Sequence, residues 1–107
     1  MKKMNKKLAR QLAAKGASLR MIEFAREVSK KAGEDFTDIQ ASDTNGDIVV
    51  MFGKPETDKY MKLTLCNDGK HCFYQILSDT SKGIMALGTC GVEDADNLVK
   101  EYKHVYY

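Results

Sequence analysis

Residues 39–52, IQASDTNGDIVVMF, and residues 61–76, MKLTLCNDGKHCFYQI, each place a glycine-containing turn between two stretches of alternating apolar residues. In the second stretch, Asp68-Gly69 favours a tight hairpin, because a type I′ turn requires positive φ at both central positions. The turn sets the register of the flanking strands, in which alternate side chains share one face. The predicted pairs, all on one apolar face, are Leu65 with Cys72, Leu63 with Tyr74, and Met61 with Ile76.

Asn45-Gly46 is the strongest short hairpin signal in the chain and predicts a turn of the same type. With these two residues as the loop, the pairs are Ile39 with Phe52, Ala41 with Val50, and Asp43 with Ile48. The apolar face then consists of Ile39, Ala41, Ile48, Val50 and Phe52, opposite Asp38, Gln40, Ser42, Val49 and Met51. A fifth strand is expected over Ile84 to Cys90, and its register does not follow from the pattern.

Helical periodicity appears on both sides of this region. Ser18 to Ala32 places its apolar residues on one side of a 3.6-residue wheel, with Ser18 as N-cap and Gly33 as the αL stop. A thinner apolar stripe with Leu8 and Leu12 precedes it, and Gly16 separates the two segments. The final helix is expected to use Val92, Ala95, Leu98, Val99, Tyr102 and Val105.

These elements predict an α+β fold of two layers. A five-stranded antiparallel β-meander is covered on one face by an N-terminal helix, or a kinked helix pair, and by the C-terminal helix. The 107 residues suffice for one core, so we expect a single domain over 1–107, with 1–17 either frayed or a separate short basic helix. The longest apolar run is Ile48 to Phe52, far too short to cross a bilayer. Three cysteines, without a signal-peptide pattern, favour the cytoplasm.

The charge of the chain is unevenly distributed. Residues 1–33 contain ten Lys or Arg and two Glu, a net +8, whereas residues 34–107 carry a net −6. Leu8 to Val28 has the general pattern of a helix-turn-helix, although Glu23 and Glu27 would repel phosphates. Nucleic-acid binding is therefore the alternative function, and its candidate contacts are Lys2, Lys3, Lys6, Lys7, Arg10, Arg20, Arg26 and Lys30.

Three other site patterns have simpler structural explanations. The stretch from Asp43 to Asp47 resembles the start of a calcium loop, but the hairpin explains it better. The candidate ligands for a zinc site are Cys66, His71, Cys72, Cys90 and His104, but they lack the paired Cys-x-x-Cys spacing of such sites.

Cys90 precedes a predicted helix and resembles a phosphatase nucleophile, yet Asp96 stands where that loop needs Arg. Glu93 and Asp94 would also raise the pKa of a thiolate there. We expect no catalytic residues, no metal and no cofactor.

The opposite face of the predicted sheet carries several large apolar side chains. If both helices cover the other face, this surface stays partly exposed, and such patches mark interfaces. The sequence thus predicts a non-enzymatic protein-binding module of the inhibitor, immunity or adaptor type, acting through this face or its acidic rim. Its partner is another protein or a second copy joined through the sheet. The candidate binding residues are Val49, Met51, Tyr60, Phe73 and Leu77.

Overall fold

The computed structural model describes residues 2–41, 46–54, 59–78 and 83–106. Within them it contains three helices and a five-stranded antiparallel sheet, which confirms the predicted α+β class. The strand order β1-β2-β3-β4-β5 is that of a meander. In chain order the elements are α1 (Lys2–Ala14), α2 (Leu19–Ala32), β1 (Phe36–Ala41), β2 (Ile48–Lys54), β3 (Lys59–Leu65), β4 (His71–Ser78), β5 (Gly83–Gly91) and α3 (Ala95–Tyr106).

One face of the sheet, here called the inner face, packs beneath the helices. Its side chains join those of all three helices in one buried cluster. The sheet contributes Phe36, Ile39, Ile48, Val50, Phe52, Met61, Leu63, Leu65, Cys72, Tyr74, Ile76 and Cys90. The helices contribute Leu8, Leu12, Met21, Phe24, Ala25, Val28, Ala32, Ala95, Leu98, Val99 and Tyr102. No helix of the described residues is long and apolar enough to cross a membrane.

The ends of α2 follow the capping chemistry expected from the sequence. Ser18 accepts the Met21 N–H at 3.2 Å through its hydroxyl oxygen, and Gly33 adopts the left-handed conformation with φ of 70°. Ser29 is buried, and its hydroxyl donates to the Glu34 carbonyl at 2.7 Å. Both termini of α2 are therefore closed by local hydrogen bonds, which stabilise a helix at this position.

The two N-terminal segments form separate helices rather than one kinked helix. Residues 15–18 are not helical, and Gly16 has φ of 92°. Leu8 and Leu12 of α1 are nevertheless completely buried and belong to the same core as the sheet. Because of these two leucines, α1 packs as part of the globular structure, with Lys6, Lys7 and Arg10 exposed.

The register of the β3–β4 hairpin is as predicted, with Leu65 opposite Cys72. The reversal is wider than a two-residue turn, because the Cys66 N–H bonds to the His71 carbonyl and the Gly69 N–H bonds to the Cys66 carbonyl. Gly69 supplies the positive φ, at 72°. The result is a four-residue loop that keeps the expected pairing.

Asp68 holds this loop together. Its carboxylate accepts the backbone N–H groups of Lys70 and His71 and contacts the His71 ring at 2.6 Å. The hydrogen bond from His71, followed by that from Lys70, lowers the pKa of Asp68 to about 2. The stabilisation that this ionised carboxylate gives the loop is therefore fully present above its usual pKa and is lost as the pH falls toward 2.

The predicted register of the β1–β2 hairpin is wrong by two residues. Ile39 pairs with Val50 and Ala41 pairs with Ile48, so residues 42–47 connect the strands instead of a two-residue turn. Asp43 and Asn45 lie outside the described residues. A shift of two residues leaves every side chain on its expected face, so hydrophobic alternation cannot distinguish the two registers. Ala41, expected on the apolar face, is exposed at the end of β1.

The C-terminal helix begins later than predicted, at Ala95. Val92 is buried but precedes the helix, as do Glu93 and Asp94. The backbone turns there, with the Asp94 N–H bonded to the Gly91 carbonyl at 3.0 Å. The prediction failed because Val92 fits the apolar period of the helix while serving as a core residue of the turn.

The burial of α1 leads to a stability prediction. We expect Leu12→Ala to lower the free energy of unfolding by about 2–5 kcal/mol, as large-to-small core changes do. Leu19→Ala is the matched control, since Leu19 is 72% exposed and Leu12 is 0% exposed, and it should change stability by no more than about 0.5 kcal/mol. Urea denaturation measures both. Equal effects of the two substitutions would contradict the placement of α1 in the core.

Candidate interaction surface

The face of the sheet away from the helices, here called the outer face, contains all five predicted binding residues. Val49, Met51, Tyr60, Phe73 and Leu77 are each partly exposed there. Four of them, all except Phe73, line a shallow depression of about 400 Å³. Its other lining residues are Asp38, Gln40, Lys62 and Gln75.

The depression has an apolar centre and polar surroundings, as its strand pairing explains. Met51 of β2 lies between Asp38 of β1 and Lys62 of β3. Tyr60 of β3 lies directly opposite Leu77 of β4. Charged groups of both signs therefore flank a cluster of thioether, aromatic and aliphatic side chains.

The sequence did not identify the exposed apolar residues of β5. Ile84, Met85 and Leu87 are 48%, 46% and 58% exposed. Leu87 pairs with Gln75 and Ile84 pairs with Leu77, which places both on the outer face beside the depression. Met85 has no partner in β4, because the ladder contains a bulge there. The available signal was the uncharged sequence GIMALGTCG over residues 83–91, but without a register it did not assign faces.

The basic candidates whose side chains the structure describes lie on α1 and α2 and do not form one cluster. Lys6, Lys7 and Arg10 on α1, with Gln11, line a separate depression of about 600 Å³. The side chains of Lys2 and Lys3 lie outside the described part of the structure.

On α2, Arg26 and Lys30 are exposed. Arg20 forms an ion pair with Glu93, just before α3. Lys31 of α2 forms a second ion pair, with Asp96 of α3. The two ion pairs link α2 to α3 and to the turn that precedes it. The charge on Arg20 is thus partly balanced within the chain.

Cys72 and Cys90 form a cross-strand pair on the inner face that the sequence did not predict. They lie directly opposite each other in β4 and β5, and both are free thiols. The hydrogen bond between them raises the pKa of Cys72, as does burial, and lowers the pKa of Cys90. A Cα separation of about 5.5 Å is typical of a hydrogen-bonded strand pair, which is within the range that a disulfide spans.

The position of Cys90 differs from that required by the nucleophile hypothesis. Its side chain is buried within β5, and α3 begins only at Ala95. The thiol therefore does not face the first turn of a helix.

The zinc candidates are also separated. Cys72 is buried, whereas His71 and His104 are exposed. Among the described residues, no group of three or more His, Cys, Asp or Glu side chains is arranged to hold a metal ion.

Comparison of the chain with protein-family models, with curated proteins and with solved structures finds no match.

The thiols provide a test of these placements. Cys66 is the most exposed cysteine, and burial, followed by the charges of Asp47 and Asp68, raises its pKa. Because the thiolate is the reactive form, we expect one thiol per native chain to react with a chromogenic disulfide reagent, slowly at neutral pH and faster as the pH rises. Cys66→Ser should remove this phase, and Cys90→Ser should leave it unchanged. Loss of the phase in Cys90→Ser instead would show that Cys90 is the accessible nucleophile.

Proposed function

We propose that this protein is a non-enzymatic protein-binding module of the small inhibitor, immunity or adaptor type, which binds another protein through the outer face of its sheet. The observation that carries the proposal is the asymmetry of the sheet. Three helices cover the inner face, whereas the outer face leaves Val49, Met51, Tyr60 and Leu77 around a depression.

The composition of the outer face supports a protein partner. Protein interfaces combine an apolar centre, enriched in Met and aromatic residues, with a polar rim. Met51 and Tyr60 occupy the centre here, and Asp38 and Lys62 lie at the sides. Ile84 and Leu87 extend the apolar area toward β5. A patch of this kind on a small domain indicates an interface.

The chemistry of the depression supports a binding role without catalysis. Its eight lining residues among those that the structure describes include one carboxylate, one lysine and one phenol, but no Cys, His or Ser. Such a set does not contain the Ser–His or Cys–His pair that nucleophilic hydrolases use. The acidic bias of residues 34–107 further suits a partner with a basic surface.

Nucleic-acid binding through α1 is the second candidate. The observation in its favour is the depression between Lys6, Lys7 and Arg10, within a segment of net charge +8. Contacts of this kind recognise phosphates without base specificity.

The proposed interface predicts a defined mutational pattern. Proteins captured from the native host by the wild-type chain are identified by mass spectrometry, and the affinity of the purified partner is then measured. Met51→Ala and Phe73→Ala should each weaken binding by about tenfold or more, as truncation of a central interface residue does. Both variants should retain the wild-type unfolding midpoint within a few degrees.

Leu19→Ala is the control, because it removes a large exposed apolar side chain from α2, on the helical side of the protein. It should bind as the wild type does. Partner binding that persists in both outer-face variants would overturn the proposal.

The nucleic-acid alternative predicts the reverse pattern. Lys2, Lys3, Lys6, Lys7 and Arg10 are changed together to Gln, and binding to a mixed-sequence DNA or RNA is measured at several salt concentrations. We expect these changes to leave protein-partner binding unaffected. Steeply salt-dependent nucleic-acid binding that disappears in this variant would favour the alternative instead.

A further inference from the structure

The sheet has two edge strands, β1 and β5, which differ in the side chains along their open sides. At β1, the Asp38 carboxylate accepts the Ile39 N–H at 2.9 Å and the Gln40 side-chain amide at 2.8 Å. The residues of β1 that hydrogen-bond to β2 are Asp38 and Gln40, which lie opposite Met51 and Val49. Ile39 lies between them, so its N–H points away from β2. A charged side chain thus occupies the open edge of β1, which is a common protection against strand addition.

The edge of β5 has backbone groups directed away from the sheet. The Val92 N–H bonds to the Lys70 carbonyl at 2.9 Å, so these two residues form a hydrogen-bonded pair at the end of the β4–β5 ladder. Because hydrogen-bonded and non-hydrogen-bonded pairs alternate, Cys90 and Gly88 bond to β4. Leu87 and Thr89 therefore direct their N–H and carbonyl groups outward.

The side chains of β5 do not prevent another strand from approaching. All nine residues from Gly83 to Gly91 are uncharged, and none is proline. Leu87 is 58% exposed beside this edge. The bulge at Met85 interrupts the strand near its start, which leaves residues 86–91 as the regular segment. An uncharged edge with exposed apolar side chains and no proline favours strand pairing.

We propose that two copies of this chain pair through antiparallel β5 strands to form a continuous ten-stranded sheet. A two-fold axis at Gly88 lets Leu87 of each copy exchange both backbone hydrogen bonds with Thr89 of the other. This register uses the regular segment only, and Gly88 has no side chain to obstruct the close, non-hydrogen-bonded pair at the axis.

A second copy fits this edge because of its charge pattern. Antiparallel self-pairing brings the same residues together from both chains, so any charge within the strand would meet a like charge nearby. β5 contains none, whereas self-pairing of β1 would bring two Asp38 carboxylates close together. In this register the exposed Leu87 side chains of the two outer faces become diagonal neighbours across the axis.

The test is the oligomeric state of the full chain. Sedimentation equilibrium from micromolar to near-millimolar concentration should give the mass of two chains at the upper end. Leu87→Lys should raise the dimer dissociation constant by about tenfold or more, because it brings two positive charges, one from each copy, close together at the centre of the interface. Thr89→Pro should do the same by removing an outward N–H, a position where edge strands accept proline. Thr89→Val keeps that N–H and Leu19→Lys places the same charge on α2, so both should remain dimeric.

Hydrogen exchange locates the contact. In the dimer the amides of Leu87 and Thr89 should be protected, and in Leu87→Lys they should exchange rapidly. A monomer at every concentration, or a dimer that persists in Leu87→Lys, overturns the proposal. Protection of these amides only when a different protein is added also overturns it, in favour of a foreign strand. Met51→Ala, which probes the outer face, should leave the dimer intact.

Discussion

The burial of the inner face beneath the helices is the constraint on which the rest of the structure depends. Val50, Leu63 and Ile76 of the central strands are completely buried, together with Leu12 of α1 and Val28 of α2. Side chains alternate along each strand, so covering one face fixes which residues lie on the other. The partly exposed cluster on the outer face is therefore a direct consequence of how the core is built, and no separate structural element creates it.

An open sheet also leaves two edge strands, and in this chain the side chains along the two edges differ. At β1 the Asp38 carboxylate binds a backbone N–H that no strand uses. At β5 the exposed large apolar side chains are Ile84, Met85 and Leu87, and the strand carries no charge. Face and edge meet at Leu87, which belongs to both. A partner on the outer face and a second copy at the edge of β5 would thus occupy adjacent surfaces.

Local signals in the sequence predicted much of this structure. The caps of α2 and the register set by Asp68-Gly69 depend on a few neighbouring residues, so they followed from turn and capping chemistry. The β1–β2 register did not, because registers two residues apart bury the same side chains. The pairing of Cys90 with Cys72 and the exposure of Leu87 depend on how β5 meets β4, which no tight turn specifies. The outer-face candidates were found because they lie on strands whose alternation was clear, and the β5 residues were missed for want of a register.

The two methionines of neighbouring strands allow the most direct test of the unequal faces. Met51 lies on the outer face and Met61, completely buried, lies on the inner face. Relaxation of the methionine methyl protons by a soluble paramagnetic agent can be measured on the free protein at a concentration where it is monomeric. The structure predicts strong relaxation of the Met51 methyl group and little effect on that of Met61. Equal protection of both methyl groups, or the reverse order, would contradict the arrangement of the sheet and the interface inferred from it.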